Sequence, residues 1–432
     1  MPSDLLIRNG TLLDPASGDV RSADILIRDG VIDAVGDNLS GDVVDPRSVE
    51  AVDASGKMIS PGWMDMHVHF REPGYEHKET IKTGARAAVA GGFTSVACMP
   101  NTNPPIHTRD VVEFILERAE KTPVHVHPIA TVSKERDGVE LAEMADLQDG
   151  GAVAFSDDGS PVQHSGLMRR ALEYSSMLDA PIINHMEDLT LNPHGHMHEG
   201  TVSARLGVSG IPALSEDVMI ARDIEIAAAT GGHVHVAHIS TAHAVELVRE
   251  GKERGVHVTA EVCPHHFTLT DEMVDTSGFS THTKMHPPLR SAADVAAIIE
   301  GLADGTIDAI CTDHAPHAPH EKDVEFNAAP FGILGLETAW GLVGRELIEP
   351  GHLTVAEAVE KLTIAPRRIL NLPVPVIEPG QTAQLTVFDA TTDWTFEGDH
   401  IRSKSRNTPF VGSKMKGRAH GVYSKGEWHP TA

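Results

Sequence analysis

Short runs dense in apolar and β-branched residues open the chain at 5–9, 23–28 and 31–35, separated by the turn signals Asn9-Gly10 and Asp29-Gly30. This is the texture of an antiparallel sheet. It returns after Pro373, where runs at 383–388, 408–411 and 421–424 alternate with Gly, Pro and Asn. The two chain ends are therefore expected to build one small β-sandwich domain together. Between them, apolar runs alternate with stretches of helical period, the rhythm of βαβ units around a parallel sheet. Eight strands are predicted, at 58–66, 94–99, 124–130, 151–155, 181–184, 233–237, 257–262 and 308–311, with helices such as 111–121, 167–178, 242–254 and 292–302 between them. Eight strands joined by crossovers predict a closed barrel. The expected fold class is α/β, a (β/α)8 TIM-type barrel over 58–372, flanked by the two parts of the β-sandwich at 1–57 and 373–432.

Composition narrows the function. A formal net charge of −27 argues against nucleic acid as a partner, because phosphate binding needs a basic surface. No run of 18 or more apolar residues suggests a membrane span. The N-terminus lacks the basic, apolar and small-residue succession of a secretory signal, and Cys98, Cys263 and Cys311 form no CxxC pair, so a reducing cytoplasm is expected and a thiolate metal site is not. All three cysteines sit in strand-like runs and read as packed thiols. The 27 histidines are the composition's one oddity, and imidazole is the commonest metal ligand.

In a barrel of this kind the active site lies at the C-terminal ends of the strands. There the sequence collects polar residues of one chemical kind. The first strand ends with His67 and His69, which alternation puts on one side; the fourth with Asp157-Asp158, the fifth with His185, the sixth with His238 and the eighth with Asp313-His314. A lone HxH is weak evidence. Several such groups gathered at one barrel end without function would each cost about 1–3 kcal/mol if buried unpaired. Imidazole with carboxylate and no thiolate suits catalytic Zn²⁺, with Mn²⁺, Co²⁺ and Fe²⁺ as alternatives.

The segment from Pro61 to Pro105, PGWMDMHVHFREPGYEHKETIKTGARAAVAGGFTSVACMPNTNPP, resembles the dihydroorotase branch of the amidohydrolase superfamily. So do NHMED, EGTVSARLGVSGIPALSED, HVAHIST, AEVCPHHFTLT, PPLR, TDHAPH and FGILGLET, which together span most of the barrel. The resemblance implies that His67, His69 and Asp313 ligate one metal and His185 and His238 a second, with Asp158 bridging. Where many relatives carry a carboxylated lysine, AFSDDG has none, which matches a lysine-free subgroup and favours Asp158 over Asp157. One or two zinc ions per subunit are expected. The implied reaction is reversible hydrolysis of the ring amide of (S)-dihydroorotate to N-carbamoyl-L-aspartate, with metal-activated water as nucleophile and Asp313 as base, then acid.

The substrate carboxylate needs a local positive group in so acidic a protein. Arg71, two residues beyond His69, is placed for a bidentate grip and Asn101 for assistance; a surface salt bridge and a turn cap are their ordinary alternatives. The resemblance adds His317, Phe331 and Gly332 as substrate contacts. Relatives commonly read NPPLR where this chain reads His286-Pro287-Pro288-Leu289-Arg290, so His286 is expected to replace an asparagine contact and to bring charge when protonated. His194, His196 and His198 read as a solvated loop, and His265-His266 as support for the site. Hydantoinase- or allantoinase-type cyclic amidohydrolases, and an inactive scaffold homologue, are the competing readings. A homodimer and association with aspartate carbamoyltransferase are the partner expectations.

Overall fold

The computed structural model describes residues 4–39 and 49–431. Its central sheet has eight strands, labelled here β1 (Trp63–Val68), β2 (Phe93–Cys98), β3 (His125–Ala130), β4 (Ala154–Phe155), β5 (Ile182–Asn184), β6 (Val234–Val236), β7 (Val258–Val262) and β8 (Ala309–Ile310). Each pairs with the next in parallel. A bridge between Val68 and His314 closes the ring. Each strand overlaps a run expected from the sequence; six lie wholly within theirs, while β1 runs two residues past 58–66 and β2 starts one residue before 94–99.

Helices Ile81–Gly91, Arg109–Glu120, Ser165–Met177, Leu214–Thr230, Ala242–Glu253, Ala292–Ala303 and Val355–Ile369 alternate with or follow the strands. Their starts are written in the sequence: Thr80, Thr241, Ser291 and Thr354 each accept a backbone N–H in the first turn of the helix that follows. The barrel interior is filled by Met64, Met66, Ala97, Met99, Ile129, Ala154, Ile183, Ala309 and Cys311, packed with Ile369 at the end of the last long helix and Leu370 just after it. A closed apolar plug of this kind leaves only the strand ends for chemistry.

In β1 the ladder to β2 is irregular between Asp65 and Val68. Met64 and Met66 belong to the inner cluster, whereas Val68 joins the outer one with Trp63. The irregularity resets the alternation, so His67 and His69 succeed Met66 on the inward side. A bulge that re-aims side chains is a recurrent device at sites of function.

Both chain ends share one eight-stranded sheet, ordered Glu427–Pro430, Lys414–Ser424, Leu385–Thr395, Met58–Pro61, Leu5–Leu13, Val20–Arg28 and Val31–Gly36, with Glu50–Asp53 also on Leu5–Leu13. Three expectations change. Asn9-Gly10 is no turn but a bulge within Leu5–Leu13, with Asn9 at φ 59° and its N–H on Asp24 Oδ1 at 2.8 Å. Asp29-Gly30 is a turn, both residues at positive φ. The run 58–66 is two strands: Met58–Pro61 joins the terminal sheet and Trp63–Val68 the barrel, broken at Gly62, where a Cβ would collide with Thr94. Burial throughout both halves erased the periodicity that would have marked the break. The run 408–411 forms no strand. It follows a segment that docks on the barrel mouth, where Lys404 N donates to Glu79 and Ser405 Oγ to the Lys78 carbonyl. Among the described residues, no helix is long and apolar enough to cross a membrane.

Candidate active site

Asp158, just beyond β4, is the hub at the C-terminal end of the barrel. Its Oδ1 lies 3.5 Å from His67 Nε2, 3.7 Å from His238 Nε2 and 3.8 Å from His185 Nδ1, and its Oδ2 lies 3.6 Å from His69 Nε2. Asp313, just beyond β8, faces two of these histidines, with Oδ1 2.8 Å from His69 Nε2 and 3.7 Å from His67 Nε2. All six of these residues are buried. Asp157 points elsewhere: its carboxylate accepts the backbone N–H groups of Val132 and Ser133 at 2.9 and 3.1 Å, and the Ser133 hydroxyl.

The donor atoms fit a cation. Of five groups whose ligand atoms lie within 4.8 Å of one another among the described residues, two centre on Asp158: His67, His69 and Asp158, and Asp158, His185 and His238. His67 Nε2 is buried without a hydrogen-bond partner, an arrangement that costs free energy unless an electrophile occupies it. His185 Nδ1 and His238 Nε2 face each other at 3.1 Å. Burial opposes charge on Asp158, but His185, His238 and His67 outweigh it and hold the carboxyl well below its usual range. Burial likewise opposes a charged His67, yet Glu261 and Asp158 raise its pKa. For Asp313 burial is again outweighed, chiefly by His69, and the pKa falls.

A further set of side chains, absent from the sequence reading, holds these groups. Glu261, buried on β7, accepts from His67 Nδ1 at 2.6 Å, which turns His67 Nε2 towards Asp158. Asp65 accepts the N–H of His67 and of Thr312, both at 3.1 Å, and so ties β1 to the segment after β8. An acidic residue inside an apolar strand was the available signal for both. Backbone strain marks the site as well: His238, Asp313 and Arg71 adopt φ of 33°, 46° and 63°, unusual for residues with a side chain.

Above the hub, a pocket of about 320 Å³ is lined by Arg71, Asn101, His286, His317, Phe331 and Gly332 together with the histidines and aspartates. Asn101 bridges the two halves, its Oδ1 2.7 Å from His69 Nδ1 and its Nδ2 donating to Asp158 Oδ2 at 3.3 Å. Arg71 Nε donates to the Pro316 carbonyl at 3.2 Å, so the rest of the guanidinium is left for the pocket. Burial and the neighbouring Arg71 push the His317 pKa down to about 2, and its neutral ring donates from Nε2 to the Phe331 carbonyl at 2.7 Å. Gly332 sits at φ 120°, and a Cβ there would lie 2.7 Å from that of Ala315. Asn407, from the C-terminal segment, accepts from His317 N and donates to the carbonyls of Ala315 and Gly332, a contact no local motif announces.

His286 lines the same pocket. Its Nε2 lies 2.7 Å from Glu187 Oε2, its ring stacks on Phe331 with centroids 4.6 Å apart, and burial lowers its pKa despite Glu187. The HGHMHEG segment is more than a solvated loop: Met197–His198 pairs with Gly210–Ile211, and His196 and His198 reach Lys284 and Arg290 at 3.4 and 3.2 Å. His265 and His266 are buried close by, and burial lowers both pKa values. The three cysteines are buried free thiols, as expected, though Cys263 and Cys311 approach to 3.6 Å between sulfurs across β7 and β8.

A parallel eight-stranded barrel whose strand ends converge histidines and aspartates on one small polar pocket defines an amidohydrolase-type enzyme. Among solved structures, the L-hydantoinase (dihydropyrimidinase) from Arthrobacter aurescens shares this fold with a TM-score of 0.86 at 23% identity, over 99% of this chain and 96% of that one. The dihydropyrimidinase from Brevibacillus agri matches with a TM-score of 0.84 at 22% identity, covering 98% and 94%. The sequence profile described as Dihydro-orotase-like matches residues 56–244. Dihydroorotase from Pelotomaculum thermopropionicum is 54% identical over 413 residues, 96% of this chain and 95% of the relative; that from Syntrophus aciditrophicus is 50% identical over 415 residues, 96% of each. The chain belongs to the dihydroorotase family of cyclic amidohydrolases.

Proposed function

We propose that this chain hydrolyses, and in reverse closes, the ring amide linking (S)-dihydroorotate and N-carbamoyl-L-aspartate, with His67, His69, His185, His238, Asp158 and Asp313 holding one or two zinc ions. The observation that carries this reading is the convergence of four imidazoles on Asp158, with Asp313 opposite and Arg71 on the same pocket wall. The donor set of nitrogen and oxygen without thiolate suits zinc. When bound, the metal supplies Lewis acidity, lowering the pKa of water and polarising the amide carbonyl.

The residues do the rest. Asp313, held ionised by His69 and His67, takes a proton from the attacking water and later delivers it to the leaving ring nitrogen. Reversing that transfer serves ring closure. Arg71 grips the substrate carboxylate through its free guanidinium N–H groups, and Asn101 orients His69 while keeping an N–H near the ring. His317, neutral, fixed on the Phe331 carbonyl and beside Arg71, and the backbone at Phe331 and Gly332 contact the substrate, and His286 offers it a further hydrogen bond. Glu261 keeps His67 in one orientation.

Parallel assays on dihydroorotate, hydantoin and allantoin test the substrate. The expected result is turnover of dihydroorotate in strong preference to the two rings without a carboxylate. Preference for hydantoin would leave the barrel chemistry standing and overturn the role given to Arg71. The family reading also carries a homodimer and association with aspartate carbamoyltransferase, which light scattering with and without that enzyme tests.

A further inference from the structure

A cavity of about 610 Å³, well above the 320 Å³ of the active-site pocket, lies outside the barrel wall and shares no lining residue with that pocket. It is framed by helix Ile81–Gly91, the end of helix Arg109–Glu120 and the last strand, Glu427–Pro430. Its charge is opposite to that of the molecule. In the whole chain acidic residues outnumber basic ones 62 to 35, yet Lys82, Arg86, Lys121, Arg402 and Lys425 line this cavity against only Glu120 and Glu427. Among the described residues, none of the five cations forms an ion pair.

Two of them have a structural account. Lys121 caps the C-terminus of helix Arg109–Glu120, and Lys425 Nζ donates to the Ala119 carbonyl at 2.6 Å, both favourable at the negative end of a helix dipole. The others do not. Lys82 and Arg86 are four apart on one helix face, where like charges destabilise, and both are exposed. Arg402 spends one N–H on the Asp399 carbonyl at 2.8 Å and extends the remainder towards the same space. Gathering unpaired like charge around a concavity costs the folded state free energy that an anion would return. Val89, Pro123 and Pro430 supply apolar lining between the charges. The volume lies in the range of small-molecule sites rather than of flat protein contacts.

We propose that this cavity binds a small polyanion carrying two or more phosphate groups, held by Lys82, Arg86 and Arg402 with Lys121 and Lys425, its non-phosphate part against the apolar residues. The site is distinct from the catalytic pocket and does not depend on the reaction assigned to it. Isothermal titration of the full-length, metal-loaded protein with inorganic triphosphate and, separately, adenosine triphosphate tests it, beside the double variant Lys82→Glu/Arg86→Glu. The expected result is saturable one-to-one binding that weakens with salt and is reduced at least about tenfold in the variant, while turnover of the variant is unchanged. Equal affinity in wild type and variant would place the anion elsewhere and overturn the proposal. Absence of saturable binding, or binding of polyglutamate without either small anion, would overturn it too, the latter in favour of an acidic protein partner.

Discussion

Asp157 ties its carboxylate to the amides of Val132 and Ser133, while Asp158 beside it faces four imidazoles. Substitution should separate the two. Asp158→Asn is expected to lower bound metal and abolish turnover with little change in melting temperature. Asp157→Asn should keep metal and lose stability by about 1.5–3 kcal/mol for its hydrogen bonds to a charged group. Metal analysis and thermal melts of the pair check both. Glu261→Gln removes the charge that orients His67, and a 10–100-fold loss of metal affinity is expected by competition with a chelator. The histidine and aspartate set was legible in the sequence because each sits at or just beyond the C-terminal end of a strand. Glu261 and Asp65 were less so, because their partners lie 194 and 247 residues away in the chain. Choosing Asp158 over Asp157 needed the family resemblance; alternation alone said only that one of them faces inward.

At the scale of elements, strand order was readable because each barrel strand is a compact apolar run followed by residues of helical period. What pattern could not show was the parity reset in β1 or the break at Gly62, since residues buried on both faces carry no period. Nor could it show that 398–408 would pack over the barrel mouth and lend Asn407 to the pocket. The wall carrying Phe331 depends on two buried lysines: Lys284 Nζ donates to the carbonyls of Phe326 and Asn327 at 2.9 Å each, and Lys322 Nζ to that of Pro330 at 2.6 Å. Burial lowers the Lys322 pKa from 10.5 to about 7. Between those values the unfolded chain binds the proton and the folded chain does not, so this group makes stability rise with pH from about 7 towards 10.5, with its full penalty in place below 7. Lys322→Met should remove that slope from the melting-temperature profile and, by freeing the Pro330 carbonyl, raise KM more than it lowers kcat. An unchanged slope would show that other groups titrate there.

For the whole molecule, a net charge of −27 repels an anionic substrate at long range, whereas Arg71 acts only within the pocket. Salt screens the first more than the second. The kcat/KM for dihydroorotate is therefore expected to rise as ionic strength goes from about 10 mM to about 150 mM, where the screening length contracts to about 8 Å. A falling dependence would mean that the local positive field reaches past the mouth. The central claim, that histidines gathered on Asp158 hold a metal on which the hydrolysis depends, is tested most directly by measuring dihydroorotate turnover and bound metal on the same samples through chelation and stepwise return of zinc. Turnover that vanishes with the metal and recovers in proportion to zinc bound, in wild type but not in Asp158→Asn, is the expected result. Undiminished turnover by the metal-free protein would contradict it.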